Sequence, residues 1–307
     1  MGDHASRVVE WLHGRRDIPH VETDLPSIRD GLAELAAKGV DLLVVNGGDG
    51  TLQRVLTEIL SEPIFEQVPM IAPLRSGRTN MSALDIGSRH DTVRSLMLLL
   101  DAVAEGSISR RIVDRPVLRV EMVDEGRPQY GMFCGFGIIH RAIELTHRVF
   151  PPGRAQGVFG SSIMTAALVT RVATGTASGS ELLVADAMNI RLDGQDIPHR
   201  LYKLILASTL ERFFLGIRPF WGTERAPIHF TAVADQALGI GPAISILRGR
   251  RPRRADVDPR FVSHNVRNAE LGMDCGLTVD GELFAPRPGR VVRVSAREDV
   301  HFVRSDA

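Results

Sequence analysis

A glycine-rich turn between a buried strand and a helix constrains this chain more than any other feature. The apolar segment 40–45 is followed by NGGDGT at residues 46–51, and the apolar positions of residues 52–60 then repeat with helical spacing. Such a turn places backbone N–H groups and a helix N-terminus where a phosphate can bind, with Thr51 as the expected N-cap. Asp49 would repel a phosphate unless a divalent cation bridges the two groups. The segment therefore predicts an anion site at the end of a strand.

A second loop of the same kind follows the next apolar segment. Residues 68–74 are typical of a buried strand, the loop RSGRTN occupies residues 75–80, and a short helical pattern begins at Met81. Far along the chain, alternating apolar residues flank Asp280 and Gly281, which predicts a β-hairpin with a tight turn and Glu282 directly after it. An Asp-Gly turn is common and does not by itself indicate a function, so a functional interpretation of this hairpin depends on the two loops.

Taken together, the three segments resemble the diacylglycerol kinase and bacterial lipid kinase family, within the NAD kinase-like superfamily. Residues 47–51 match its GGDGT signature, which sphingosine kinases and NAD kinases share. Pro73, Gly77, Thr79 and Asn80 match the second loop of lipid kinases, approximately Pro-x-Gly-Thr-x-Asn, a form that NAD kinases lack. The resemblance covers most of the chain in domain order, although its motifs cover few residues.

The resemblance implies an ATP-dependent lipid kinase that uses Mg²⁺ and transfers a phosphoryl group to a lipid hydroxyl. Glu282 is then the general-base candidate, Asp280 its neighbour in the catalytic set, and Asp49 both a catalytic residue and the metal ligand. The residues implied to bind the nucleotide are Gly47, Gly48, Asp49, Gly50, Thr51, Ser76, Gly77, Thr79 and Asn80. The identity of the lipid stays open among diacylglycerol, a sphingoid base and a polyprenol.

Two departures from the family keep alternatives open. Arg75 and Arg78 stand where small or uncharged residues are usual, and they either add charge-assisted contacts to phosphates or block the pocket. The family begins with a strand that ends in an Asn-Pro turn, whereas residues 6–12 are typical of the helix after that strand, so the first strand is expected to be missing. A catalytically degenerate nucleotide- or lipid-binding protein of this fold, and an NAD kinase, are the alternatives.

The pattern of elements changes near residue 109. Residues 1–108 alternate helices with buried strands, which predicts an α/β nucleotide-binding domain with a parallel sheet of the NAD kinase/diacylglycerol kinase type. Residues 109–307 contain longer alternating segments, which predict a β-rich, sandwich-like lipid-substrate domain whose extreme C-terminus packs back on the first domain. We also expect helical inserts at about 138–149 and 160–173.

Composition narrows the partners. The 37 basic and 37 acidic residues give a formal net charge of zero, so no global field favours nucleic acid. Cys134 and Cys275 are isolated, which favours a reducing compartment. No apolar run reaches the ~18 residues of a membrane span. We therefore expect a cytoplasmic enzyme that docks peripherally on a membrane, with monomer and homodimer both open. The arginine-rich residues 248–254 are the candidate docking segment, against the alternative of a solvated loop.

Two weaker candidates complete the sequence-based set. His140, Glu144 and His147 have the spacing of one helix face and carry metal-ligating groups, although a solvated face is the more common outcome. An aromatic cluster lies near residues 213–222 and is interpreted as core or cleft lining, or as the wall of an acyl-chain pocket. Its members are Phe213, Phe214, Phe220 and Trp221.

Overall fold

The computed structural model describes most of the chain in eleven segments. These are residues 3–13, 17–77, 79–149, 184–198, 200–213, 216–235, 245–246, 248, 250–252, 258–297 and 300–306. The chain divides into two compact units, of which the first is Met1–Val117 together with Glu298–Ala307 and the second is Leu118–Arg297. The predicted helix at 160–173 lies outside the described residues.

Unit 1 is an α/β unit built around a four-stranded sheet. Its helices are α1 (Asp3–Leu12), α2 (Ile28–Ala37), α3 (Asp49–Ser61), α4 (Met81–Ile86), α5 (Thr92–Ala104) and a short 3-10 helix (Ile108–Arg111). Its strands are β1 (Leu42–Gly47), β2 (Met70–Arg75), β3 (Ile112–Asp114) and β16 (His301–Val303). The strand order is β1-β2-β16-β3, and β2 runs parallel to both of its neighbours. The predicted α/β fold with a largely parallel sheet is confirmed.

Apolar periodicity explains why these segments form this unit. Leu52, Val55, Leu56 and Ile59 fall on one face of α3 and are all buried. The helix starts at Asp49, three residues before the predicted start at residue 52, because Gly48 takes the extended N-cap conformation. Thr51 therefore lies inside the first turn and the prediction that it is the N-cap is wrong.

Strand β16 comes from the far end of the chain and lies in the middle of the unit 1 sheet. Phe302 pairs with Ile71 of β2 in parallel and with Val113 of β3 in antiparallel. Phe302 and Val303 are fully buried, and Val303 joins the apolar cluster between the sheet and α5. The C-terminal segment is thus an integral part of unit 1.

Unit 2 is β-rich and antiparallel, as predicted. Its described strands are β4 (Val117–Met122), β5 (Gln129–Gly131), β6 (Phe133–Gly137), β7 (Asp186–Leu192), β8 (Gln195–Asp196), β9 (Leu201–Ser208), β10 (Ile228–Ala234), β11 (Phe261–Val266), β12 (Asn268–Met273), β13 (Leu277–Val279), β14 (Glu282–Phe284) and β15 (Arg290–Arg297). The main path runs β14-β13-β6-β9-β7-β12-β15-β4-β5, while β10 pairs with β9 and β11, and β8 pairs with β7.

One helix, α6 (Ile138–Val149), follows β6 directly and confirms the predicted helical insert. It packs on β6, β9, β13 and β14. The main core of unit 2 is a continuous apolar cluster that includes Phe136, Tyr202 and Phe230, all fully buried. None of the helices in the described part of the chain has the length and apolar character needed to span a bilayer.

Candidate functional site

The two glycine-rich loops of unit 1 lie against each other at the carboxyl ends of β1 and β2. A Cβ atom added to Gly48 would stand 2.9 Å from the Cα atom of Gly77, and one added to Gly77 would lie even closer to Gly48. The Ser76 N–H donates to the Gly47 carbonyl over 3.3 Å. Because backbone meets backbone here, a larger residue than glycine cannot be accommodated without separating the loops. Ligands of parallel α/β sheets bind at this end of the strands.

Asp49 ties the first loop to the second. Its side chain is 8 % exposed, and its carboxylate accepts three hydrogen bonds from the other loop and the start of α4. Oδ2 accepts from Thr79 Oγ1 at 2.6 Å and from the Met81 N–H at 3.1 Å, while Oδ1 accepts from the Ser82 N–H at 2.9 Å. A carboxylate has about four acceptor positions. The protein therefore occupies most of those of Asp49.

Asn80 fixes the shape of the second loop from within. It adopts the left-handed conformation with φ of 52°, which asparagine tolerates better than most residues. Its Oδ1 accepts from the Gly77 N–H at 2.7 Å and its Nδ2 donates to the Gly77 carbonyl at 2.9 Å. Both polar groups of the Gly77 backbone are thereby satisfied by one side chain.

The remaining loop residues lie close by. Ser76 Oγ donates to Asn46 Oδ1 across the two strand ends. Gly47 has room for no side chain, because a Cβ atom there would overlap Thr51. Gly50 is the second residue of α3. Behind the loops lies a cavity of about 10 Å³, lined in part by Val45, Leu74 and Ala83, which is room for about one water molecule.

All nine residues that the sequence predicts for nucleotide binding therefore lie on these two adjoining loops. Sequence reasoning missed Asn46, Met81 and Ser82, which hold the loops in place. For Met81 and Ser82 it could not succeed, since the donors are backbone N–H groups that carry no side-chain signature. Asn46 gave a weak signal, as a polar residue at the end of an apolar strand.

In unit 2, Asp280 lies at the turn of the predicted hairpin between β13 and β14, which the structure confirms. Asp280 is 5 % exposed and has φ of 46°. Its carboxylate accepts from the N–H groups of Met132 and Phe133, both at 2.8 Å, and its own N–H donates to the Phe133 carbonyl. Gly131 faces the carboxylate so closely that a Cβ atom there would collide with it. These contacts anchor the turn to the start of β6.

Glu282 is the first residue of β14 and is exposed. Among the described residues its side chain has no hydrogen bond or ion pair, in contrast to that of buried Asp280 two positions earlier. The anchored turn fixes the backbone of Glu282 while its carboxylate stays in solvent. This arrangement allows Glu282 to take up a proton from a group that approaches the surface, and it assigns Asp280 a positioning role.

The alternative metal site on α6 is not supported. His140 is buried at 4 % exposure against Gly276, and burial lowers its pKa. Glu144 forms an ion pair with Arg148 at 2.8 Å. Across the described residues, no group of three or more His, Cys, Asp or Glu side chains could hold a metal ion. The expectation of a solvated face is wrong for His140, which lies in the interior of unit 2.

The aromatic residues near 213–222 do not all pack together in one cluster. Phe213 stacks edge-on against Phe133 at 5.2 Å and against Phe220 at 5.5 Å, whereas Trp221 packs on a separate small core that includes Phe261. Phe214 lies outside the described residues, as do Arg253 and Arg254 of the arginine-rich segment. The described arginines of that segment are exposed, namely Arg248, Arg250 and Arg251.

Comparison with known proteins agrees with this geometry. Residues 4–110 match the family model of the diacylglycerol kinase catalytic domain. A protein from Bacillus anthracis str. Sterne assigned as a diacylglycerol kinase is similar in structure, with a TM-score of 0.63 and 16% identity, over 98% of this chain and 90% of that chain. A second structure with the same assignment and source gives 0.61 and 14% identity over 92% and 84%. Among curated proteins, none matches this chain.

The fold of this chain is similar to that of the two Bacillus anthracis structures. The family match lies on the segment that contains both glycine-rich loops, and the structural likeness extends over nearly the whole chain. Residues 4–110 are therefore similar to the diacylglycerol kinase catalytic domain, in agreement with the predicted resemblance.

Proposed function

We propose that this protein is an ATP-dependent lipid kinase, similar to diacylglycerol kinases, that transfers the γ-phosphate to a lipid hydroxyl. The observation that carries the proposal is the pair of glycine loops held together by Asp49 at the strand ends. The Pro73-to-Asn80 form of the second loop favours a lipid kinase over an NAD kinase. The family match supports a kinase and leaves the substrate to this proposal.

ATP is proposed to place its phosphates on the two loops. The first N–H groups of a helix have no partner within it, so those of Asp49, Gly50 and Thr51 at the start of α3 are suited to an anion. Gly48 and Gly77 allow the two loop backbones to meet beside these N–H groups. Thr79 and Asn80 act mainly on the loops themselves, through Asp49 and Gly77.

Mg²⁺ is proposed to accompany ATP and to offset the phosphate charge. Magnesium keeps several waters and is held through one or two carboxylates together with phosphates, rather than by a closed protein cage. Asp49 fits this mode only in part, since three protein donors already occupy its carboxylate and one acceptor position on Oδ1 is left. A water of the hydrated ion suits that position better than direct coordination.

Glu282 is proposed to accept the proton of the lipid hydroxyl. The resulting alkoxide oxygen attacks the γ-phosphorus, the bond to the β,γ-bridging oxygen breaks, and ADP leaves. Phosphoryl transfer depends mostly on positioning and electrostatic stabilisation, so the reaction requires few catalytic side chains besides a base. Asp280 contributes by fixing the turn from which Glu282 extends.

A bilayer lipid substrate requires reversible docking on a membrane surface. The arginine-rich segment 248–254 is the proposed contact, because each Arg or Lys near an anionic surface contributes ~1 kcal/mol of attraction. Sedimentation with phosphatidylserine-containing vesicles tests it. Binding should weaken as salt rises, and a variant with Ser at Arg250 and Arg251 should bind less while keeping its activity on a short-chain soluble lipid. Equal binding of parent and variant at low salt would leave this segment an ordinary solvated loop.

The function itself is tested by a phosphorylation screen with γ-labelled ATP. Diacylglycerol, a sphingoid base, a polyprenol and NAD are offered in turn, with Mg²⁺ present. Label transferred to a lipid supports the proposal and identifies the lipid. Label transferred only to NAD would make the protein an NAD kinase, and binding of ATP without any transfer would make it a degenerate member of the fold.

A further inference from the structure

Arg75 lies at the edge of the paired loops and forms no ion pair with a carboxylate among the described residues. It is the last residue of β2, is partly buried, and lies opposite Gly47 in the strand register. Among the described residues, its guanidinium makes one hydrogen bond, from NH1 to the carbonyl of Arg89 at 2.6 Å. Its Nε is buried and has no acceptor in this part of the chain. Since a guanidinium carries five N–H donors, most of those of Arg75 are available to a ligand.

Other arginines of unit 1 differ from Arg75 because carboxylates neutralise them. Arg29 and Arg54 both pair with buried Glu58, and Arg115 pairs with Asp85. Within the described residues, no carboxylate forms an ion pair with Arg75. The positive charge at the end of β2 is therefore not cancelled locally, and an anion on the loops would meet it.

The partner of Arg75 is itself held by the C-terminal segment. The Arg89 N–H donates to Asp306 Oδ2 at 3.0 Å, and Asp306 Oδ1 lies 3.7 Å from His90 Nε2. Ser305, the preceding residue, is fully buried. Its carbonyl accepts from Arg111 NH1 at 2.6 Å, which anchors this segment in unit 1. Asp306 thus fixes the Arg89 peptide, and the Arg89 carbonyl orients Arg75.

We propose that Arg75 binds the phosphate chain of the nucleotide directly, and that Asp306 is a positioning residue that orients Arg75 through the Arg89 backbone. The proposal deepens the proposed function and rests on it for the identity of the nucleotide. For Arg75 it favours a charge-assisted contact over a blocked pocket, whereas Arg78 lies outside the described residues. A planar guanidinium that is held at one nitrogen still offers two adjacent donors to phosphate oxygens.

Titration calorimetry with two probes tests the role of Arg75. Inorganic tripolyphosphate reports on the anion site alone, and ATP with Mg²⁺ reports on the proposed nucleotide. Arg75→Gln should lose about 10- to 100-fold in affinity for both probes, the range expected for one charged hydrogen-bonding partner. Arg94→Gln on α5 is the matched control, since Arg94 is an exposed arginine of the same unit, and it should bind as the parent does.

The two probes separate the possible failures. Equal tripolyphosphate affinity in the parent, Arg75→Gln and Arg94→Gln would overturn the inference, whether or not the protein is a kinase. Suppose that Arg75→Gln loses tripolyphosphate binding and that the parent protein transfers phosphate from ATP to no lipid. This result would support the role of Arg75 in anion binding and overturn the proposed function. A parent that binds neither probe would overturn both.

A double-mutant cycle tests Asp306. Asp306→Ala should weaken tripolyphosphate binding by about 3- to 10-fold, which corresponds to the loss of one hydrogen bond of ordinary strength. Asp306→Asn keeps an acceptor oxygen for the Arg89 N–H and should restore most of that loss. In the Arg75→Gln background, Asp306→Ala should have no further effect, because its action passes through Arg75. Full additivity of the two losses would show that Asp306 acts independently and would overturn its positioning role.

Discussion

Replacement of Asp49 by Asn is the sharpest test of how the paired loops are held. The change removes one charge and leaves the volume of the side chain almost unchanged. If Asp49 served only a metal ion, the fold would tolerate it. The structure predicts otherwise, because the carboxylate receives three donors from the second loop and the start of α4.

The size of the effect follows from the donor count. An Asn side chain has one oxygen and one NH₂ group. With its oxygen toward Thr79 and Met81, the NH₂ group faces the Ser82 N–H, and the reverse orientation faces two donors instead. At least one buried N–H therefore loses a charge-assisted bond, which corresponds to about 1.5–3 kcal/mol. At roughly 2–4 °C per kcal/mol, the Tm of unit 1 should fall by about 3–12 °C.

Thermal unfolding followed by circular dichroism measures this shift, with Asp101→Asn as the control. Asp101 lies on α5 of the same unit and is exposed, so its replacement should change the Tm very little. Activity is measured alongside, at several concentrations of Mg²⁺. An Asp49→Asn protein with the same Tm as the control, but with activity that requires far more Mg²⁺, would refute the reasoning that Asp49 holds the two loops together. Asp49 would then have a purely metal-binding role.

Three further predictions concern other parts of the molecule. Gly77→Ala should lower the free energy of unfolding by about 1–3 kcal/mol and weaken ATP binding, since its Cβ atom would push into the Gly48 backbone. Calorimetry should show neither loss for the control Gly272→Ala, because the atom nearest to a Cβ at Gly272 is 3.7 Å away. Glu282→Gln should reduce kcat by about 10²- to 10⁴-fold with ATP affinity nearly intact, and reduced ATP affinity at unchanged kcat would contradict its role as a base. For Glu224, partial burial works to raise the pKa, but hydrogen bonds from His264 and the Asn265 N–H outweigh it and lower the pKa to about 2. A lowered carboxyl pKa stabilises the fold above about pH 4 and loses that contribution as the pH falls toward 2, so denaturant titrations should show the Glu224→Gln deficit shrinking over this range, and a deficit independent of pH would count against the ion pair.

Local sequence patterns determined the elements and the location of the loops. The alternation of apolar runs predicted β1, α3 and β2 to within a few residues, because burial of one face imposes its own period on the chain. The glycines of residues 47–50 and Gly77 predicted the loops, since only glycine permits so close an approach of backbone to backbone or ligand. The Asp280-Gly281 pair predicted the hairpin turn for the same local reason.

Only the tertiary structure decided what the charged side chains of these loops do. Asp49 and Asp280 look alike in the sequence as acids within glycine turns, and both are buried acceptors of backbone N–H groups, whose positions leave no mark on the sequence. The place of β16 in the middle of the unit 1 sheet and the bond from Arg89 to Asp306 join residues more than two hundred positions apart. Periodicity shows which face of a segment is buried, whereas contacts over such separations depend on how the whole chain packs. Residues 47–51 could therefore be identified from the sequence, but the residues that hold them in place could not.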